Sequence, residues 1–127
     1  MLFRSSVVVT DPHQLGGIER FRKVAAMCEI ADVPVVKHSF GDLGVSTFAA
    51  AHVLAGCPNA GLAHQTHYQL LGEDVIVGGP PRFEDGALTL PEGPGIGVEL
   101  DPDRVAEAAE RYERDGWLSP YEERVST

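Results

Sequence analysis

The sequence predicts an α/β fold built on a parallel sheet covered by helices. Short apolar, β-branched runs alternate with helical patterns in the order strand–helix–strand–helix–strand over residues 7–68. The connections between these runs are short, as in successive βαβ units. A different pattern, a hairpin and then an amphipathic helix, follows residue 80.

Each element has its own signal. Val7, Val8, Val9 and Thr10 read as a buried strand that stops at Asp11. In "GGIERFRKVAAMCEIAD", Ile18, Phe21, Ala25 and Cys28 fall at helical spacing, while Glu19, Arg20, Arg22 and Lys23 take the opposite face. "VPVVKHS" is a second apolar run, Val33 to Val36, ending at Lys37-His38. "GVSTFAAAHVLAG" is an Ala-rich helix suited to close packing, and Gly56 and Pro58 end it. "AGLAHQTHY" is a third, weaker strand candidate. Beyond it, Asp85-Gly86 between short alternating runs predicts a hairpin turn. In "DPDRVAEAAERYERDG", Asp101 is the expected N-cap and Pro102 the first helical residue. Val105, Ala108, Ala109 and Tyr112 form its apolar stripe, and Gly116 ends it. Three parallel strands with two covering helices leave open, apolar edges. Such a unit is expected to pair with another chain or to be the end of something larger.

Composition narrows the function classes. A chain of 127 residues is one domain or part of one, and 43% hydrophobic residues suffice for a core. No run reaches the roughly 18 apolar residues of a membrane span, and "MLFRSSVVVT" is a poor signal peptide. The net charge is −9, with Lys23 and Lys37 the only lysines, so the surface repels phosphate backbones and nucleic-acid binding is not expected. Cys28 and Cys57 lie in apolar helical stretches and read as buried free thiols, which fits a reducing cytoplasm.

Chemistry-bearing residues gather at strand ends. Asp11 and His38 each close an apolar strand, with one helix between them. In a right-handed βαβ unit both would project from one C-terminal edge. There Asp11 could accept a hydrogen bond from one imidazole nitrogen and make the other more basic. The alternative is turn chemistry for Asp11 and an ordinary strand-end histidine for His38. His64 and His67 stand three apart in a strand end and loop, without a third ligand nearby, which suits a polar pocket better than a structural metal site. "GPGIG", residues 93–97, lacks the following Lys-Ser/Thr of a phosphate loop and reads as a rigid turn. His13 and Gln14 could face the site, although loop residues of this kind are more often solvated, and His52 reads as a packing residue inside its helix.

The run "DPHQLGGIERFRKVAAMCEIADVPVVKHS", with "AAAHVLAGCPN" and "LTLPEGPGIGVELD", resembles the C-terminal part of enolase-superfamily barrels of the mandelate racemase and muconate lactonizing type. The D-x4-GG-I step, the H-S after the second strand and the P-G-I-G-V-E-L-D ending carry the resemblance over roughly residues 7–115. "VAAMCEIADVPVVKHS" and "THY" look most like acid-sugar dehydratases of the glucarate dehydratase kind. The resemblance implies strands six to eight of a (β/α)7β barrel over residues 1–79. It further implies a hairpin and helix over 80–115 that pack toward a capping domain, then a polar tail over 116–127. It also implies Asp11 and His38 as the family's Asp–His dyad, His38 being the base at the carbon next to the substrate carboxylate. Ser39, His64, Gln65 and His67 are then the expected substrate-binding residues.

Three departures bear on the substrate. Ala63-His64-Gln65 stands where the family usually carries an acidic residue. Phe40 and Gly41 replace the asparagines that follow the base in glucarate dehydratases. Gln14 stands where a muconate-type enzyme has its lysine, which counts against cycloisomerase chemistry. The family's carboxylate metal ligands lie on strands three to five, so Mg²⁺ is expected in the complete enzyme and not on this chain alone. The resemblance thus implies the base-bearing part of a Mg²⁺-dependent sugar-acid dehydratase. The other readings are a racemase or epimerase of the same superfamily, or an inactive remnant or non-catalytic partner chain. The expected partners are a sugar acid and either an upstream barrel segment or further copies of the chain, with no nucleic acid and no membrane.

Overall fold

The structure is a computed structural model that describes residues 6–116; the expected polar tail beyond Gly116 lies outside them. Strand β1 (Val8–Thr10) is followed by a single-turn helix α1 (Pro12–Leu15) and by α2 (Ile18–Ile30). Strand β2 (Val35–Lys37) and α3 (Gly44–Ala55) come next. A 3-10 turn at Tyr68–Leu70 leads to the hairpin strands β3 (Phe83–Glu84) and β4 (Ala87–Leu88), and then to α4 (Pro102–Asp115).

β1 and β2 pair in parallel, Val8 with Val35, Val9 with Val36 and Thr10 with Lys37. The helical stripe of α2 buries Phe21 and Ala25 against Val35, and Leu15, Cys28, Val53, Leu54 and Cys57 close around them. Both cysteines are free and partly buried. Ile18, the first residue of the predicted stripe, is exposed instead.

The step from β1 into α2 takes two glycines because the chain passes twice through backbone conformations that side chains disfavour. Gly16 (φ 81°) ends α1 and Gly17 (φ 120°) begins α2. The carboxylate of Asp11 accepts from the His13 N–H and so caps α1, a turn the sequence reading placed in a loop.

The third strand does not form. Residues 59–65 run beside β2 and touch it at both ends, Val35 N–H donating to Asn59 O (3.0 Å) and Gln65 N–H to Lys37 O (3.0 Å). Between those ends, the Lys37 N–H that a neighbouring strand's carbonyl would accept goes to His64 Nδ1 (3.2 Å). An imidazole in the path of the ladder replaces the backbone pairing. The parallel sheet among the described residues therefore has two strands.

The hairpin forms as predicted. Asp85 (φ 50°) and Gly86 (φ 77°) carry the two positive φ angles of a type I′ turn. Asp101 caps α4 by accepting from Asp103 N–H and Arg104 N–H. The "GPGIG" turn is tied to α3 by His52, whose Nε2 lies 3.1 Å from Ile96 O, so His52 does more than fill space.

Candidate active site

The parallel register sets the site. His38 N–H donates to Thr10 O (2.8 Å), which places Asp11 and His38 side by side at the C-terminal edge of β1 and β2. α/β folds place their chemistry at this edge.

Asp11 is fully buried. Its Oδ1 accepts from the His13 N–H (2.7 Å) and lies 2.8 Å from His13 Nδ1. Its Oδ2 is 3.4 Å from Lys37 Nζ and has no hydrogen-bond partner. Burial pushes the carboxyl pKa up. The hydrogen bonds from His13 and the charge on Lys37 outweigh it and hold the group below the ordinary carboxylate range. His38 stacks edge-on against Phe40, ring centroids 4.5 Å apart. Its Nδ1 is buried and also without a partner. Of the direct or water-bridged hydrogen bond expected between Asp11 and one imidazole nitrogen of His38, the direct form is not made, although the two open atoms belong to neighbouring residues on one sheet edge.

Lys37 and Asp42 complete this edge, and the sequence reading did not single them out as site residues. The Lys37 side chain is only 7% exposed. Its Nζ donates to Asp42 Oδ2 (2.5 Å) and to His38 O (2.7 Å). Asp42 Oδ2 also accepts from Ser39 Oγ (3.1 Å), and Asp42 Oδ1 lies 3.4 Å from His13 Nδ1. Two carboxylates thus face one ammonium and one imidazole. The signal was present: a lysine closing an otherwise apolar strand needs a buried anion, and Asp42 follows five residues later.

The expected substrate-binding residues separate into two groups. Ser39 is buried, and its hydroxyl is engaged by Asp42, Gly41 N–H and His67 N–H. His64 is half-buried and accepts the Lys37 N–H at Nδ1, which leaves its proton on Nε2. Burial is the largest cause that lowers the His64 pKa, so it stays neutral at pH 7. Gln65 and His67 are exposed, and their side chains are free to meet a ligand at the same edge. His64 and Gln65 also border a 460 Å³ cavity between α3 and the hairpin, on the helix side of the sheet.

Asp11, His13 and Asp42 are the convergent potential metal ligands among the described residues. They do not fit magnesium. That ion demands near-octahedral oxygen coordination. Here two carboxylates and a nitrogen converge, and the Lys37 ammonium already sits 2.5 Å from one carboxylate.

A profile of the enolase C-terminal domain-like family matches residues 4–104. The chain belongs to that family. It is 36% identical over 88% of its length to a probable glucarate dehydratase of Streptomyces coelicolor, of which it covers 26%. It is 33% identical over 83% of its length to muconate cycloisomerase 1-1 of Acinetobacter lwoffii, of which it covers 27%. Among solved structures, an enolase from Pseudomonas fluorescens with bound magnesium, potassium and tartrate superposes with a TM-score of 0.82. It is 36% identical, and the match covers 88% of this chain and 27% of that one. The fold is thus the α/β C-terminal part of an enolase-superfamily barrel, and the chain spans about a quarter of the length of these relatives. No helix among the described residues is long and apolar enough to cross a membrane.

Proposed function

We propose that this chain supplies the base-bearing edge of an acid-sugar dehydratase. The observation that carries the reading is the pair of buried, unpartnered polar atoms, Asp11 Oδ2 and His38 Nδ1, on adjacent residues of one parallel sheet edge. A carboxylate held ionised beside an imidazole fixes which nitrogen carries the proton and strengthens the other as a base. His38 Nε2 takes the proton from the carbon next to the substrate carboxylate, and the electron pair passes into an enediolate. The β-hydroxyl leaves as water, taking a proton back from His38, and the enol becomes a 2-keto acid. Gln65 and His67, exposed at the same edge, are the side chains available to bind hydroxyls of an aldonate or aldarate.

Since the residues here do not fit magnesium, a metal would be held by residues outside those described, on an upstream barrel segment that docks against the open edge of β1. Val9, half-exposed on that strand, would be covered by it. Gln14, where the cycloisomerase lysine would stand, favours dehydration over the cycloisomerisation named in one relative.

The test is to co-express the chain with an upstream barrel segment and follow α-proton exchange in deuterated solvent and 2-keto acid formation over a sugar-acid panel. His38→Asn is expected to abolish both. Exchange that survives His38→Asn would remove His38 as the base, and exchange with inversion but no keto acid would make the enzyme a racemase or epimerase.

A further inference from the structure

We infer that Lys37 is a positioning residue that keeps one oxygen of Asp11 open for His38. The inference rests on the reading of Asp11 and His38 as a working pair.

The two oxygens of Asp11 are used differently. Oδ1 is engaged twice by His13, through backbone N–H and Nδ1. Only Oδ2 remains, buried and unpartnered. An ionised carboxylate oxygen in that position is costly unless a positive charge stands close by. Lys37 Nζ stands at 3.4 Å and makes no hydrogen bond to it, while two of its three protons are directed to other acceptors. Asp42 Oδ2 takes one at 2.5 Å and the His38 carbonyl takes another at 2.7 Å. Asp42 in turn is held by Ser39 Oγ.

The arrangement has a chemical consequence. If Lys37 donated to Oδ2, its charge-assisted bond would weaken that oxygen as an acceptor and compete with His38 for it. If Lys37 were absent, the charge on Oδ2 would be uncompensated on that side and would act more strongly on His38. Asp42 sets the balance by holding the ammonium back. The bond to the His38 carbonyl also fixes the backbone from which the imidazole projects. The ionisable groups around this edge are Asp11 and His13 from the β1–α1 side, Lys37 and Asp42 from β2 and its loop, and His64 and His67 from the segment after α3.

The test is a pH titration of the His38 imidazole by NMR in the full chain, which needs no turnover. Lys37→Met is expected to raise the His38 midpoint by about one pH unit, since an opposite charge within a few ångströms typically shifts a titration by one to three. Asp42→Asn releases the ammonium onto Oδ2 and is expected to lower the midpoint. It keeps Lys37 paired with Asp11, so the measurement stands even where Lys37→Met does not fold. Lys37→Arg, which keeps the charge, is expected to restore the wild-type midpoint to within about 0.3 unit. The decisive comparison repeats the Lys37 and Asp42 variants on an Asp11→Asn background. Action through Asp11 requires both shifts to fall below about 0.3 unit there. Shifts that persist undiminished without the Asp11 carboxylate would be through-space charge effects and would overturn the inference, as would unchanged midpoints in the single variants. An inert reconstituted barrel with the Asp11-dependent shifts intact would instead remove the dehydratase reading and leave the role of Lys37 standing.

Discussion

The C-terminal edge of β1 and β2 and the helix α4 invert what hydropathy leads one to expect. The edge is made of charged and polar residues, yet Asp11, Lys37, Ser39 and Asp42 are all buried. Helix α4 carries the cleanest apolar stripe in the sequence, yet none of its residues is buried, and Tyr112 on that stripe is 63% exposed. The edge closes because each charge finds its opposite within its own segment. The stripe of α4 stays open because an apolar face needs a partner surface, which this part of the chain does not provide. Periodicity specifies which face a helix would bury and says nothing of what covers it.

The largest effect expected from breaking that contrast comes from matched aromatic truncations. Phe21 lies on the stripe of α2 and is 1% exposed in the core with Ala25 and Val35. Phe21→Ala should cost about 3–5 kcal/mol, enough to unfold much of the population in a urea titration. Tyr112→Ala, the same kind of change on the stripe of α4, should cost less than about 0.5 kcal/mol. A large loss from Tyr112→Ala in the isolated chain would show that α4 packs on something in solution, either a second copy or the residues beyond Gly116. Adding an upstream segment that covers α4 would raise the Tyr112 cost alone.

A mid-sized effect is expected where the two regions are joined. Asp74 is buried; its carboxylate accepts from the Tyr68 hydroxyl and from the Gly44 N–H at the start of α3 (2.6 Å). Its backbone carbonyl accepts from Arg104 of α4 (3.2 Å). The fit around α3 is close: a Cβ on Gly44 would lie 2.5 Å from Ile76 Cδ1 and 2.8 Å from Asp74 Oδ2. Gly44→Ala should therefore lower stability by about 1–3 kcal/mol through overpacking, although alanine is the better helix former. A neutral or stabilising result in thermal melts would mean that α3 starts later than Gly44. Burial and the bond to Asp74 both raise the Tyr68 phenol pKa, so Tyr68 should show no ionisation in ultraviolet titrations below the pH at which the chain unfolds.

Legibility in the sequence divides along the same line. Both long helices beside the sheet, the Asp85-Gly86 turn and the Asp101 cap were readable because each rests on local chemistry, periodicity or a φ angle. The placement of Asp11 and His38 on one edge was readable because a βαβ unit has one hand. The third strand was misread because its loss depends on where His64 reaches in three dimensions, and alternation along the chain does not record it. Lys37 and Asp42 were missed as a pair because a strand-end lysine usually points to solvent, whereas here it is buried against Asp42. For His13 the sequence leaves two readings, a solvated loop residue or one that faces the site, and the structure takes the second. His13 is exposed, yet it is the residue that binds Oδ1 of Asp11.

Acidification should act on the sheet edge in two steps and spare α4. His64 has a depressed pKa in the folded chain, so the unfolded chain binds the proton more readily. Its penalty is absent above the ordinary histidine value near 6.5 and grows as pH falls below it. Asp11 also has a lowered folded pKa. Its contribution is present above the ordinary carboxylate value and is lost as pH falls through the folded one. Stability should thus fall in two stages, the first below the ordinary histidine value of 6.5 and the second below the ordinary carboxylate value of 3.8, and both should be carried by the sheet edge. Asp11→Asn should remove the lower stage and leave the upper. A single stage that is insensitive to both His64→Gln and Asp11→Asn would place the acid sensitivity elsewhere.

The smallest effect is expected on α4, and it sharpens the contrast by its size. Arg111 Nη1 lies 2.9 Å from Glu73 Oε2, a bond as short as many in the sheet edge. The two side chains are 42% and 62% exposed, however, so water competes for both. Exposed ion pairs of this kind contribute about 0.2–1 kcal/mol and weaken with salt. Arg111→Ala should therefore shift stability by less than about 1 kcal/mol at low ionic strength, and by nothing measurable in 1 M salt, where screening acts over about 3 Å. The Lys37–Asp42 pair has the same formal chemistry at 2.5 Å with both partners buried. Removing one partner there should cost several times more, about 3–5 kcal/mol, and the loss should survive high salt because no water reaches the charge left behind. If salt erased both effects equally, the sheet edge would be open to solvent and its buried network would not exist as described. If salt spared both, α4 would be covered in solution after all.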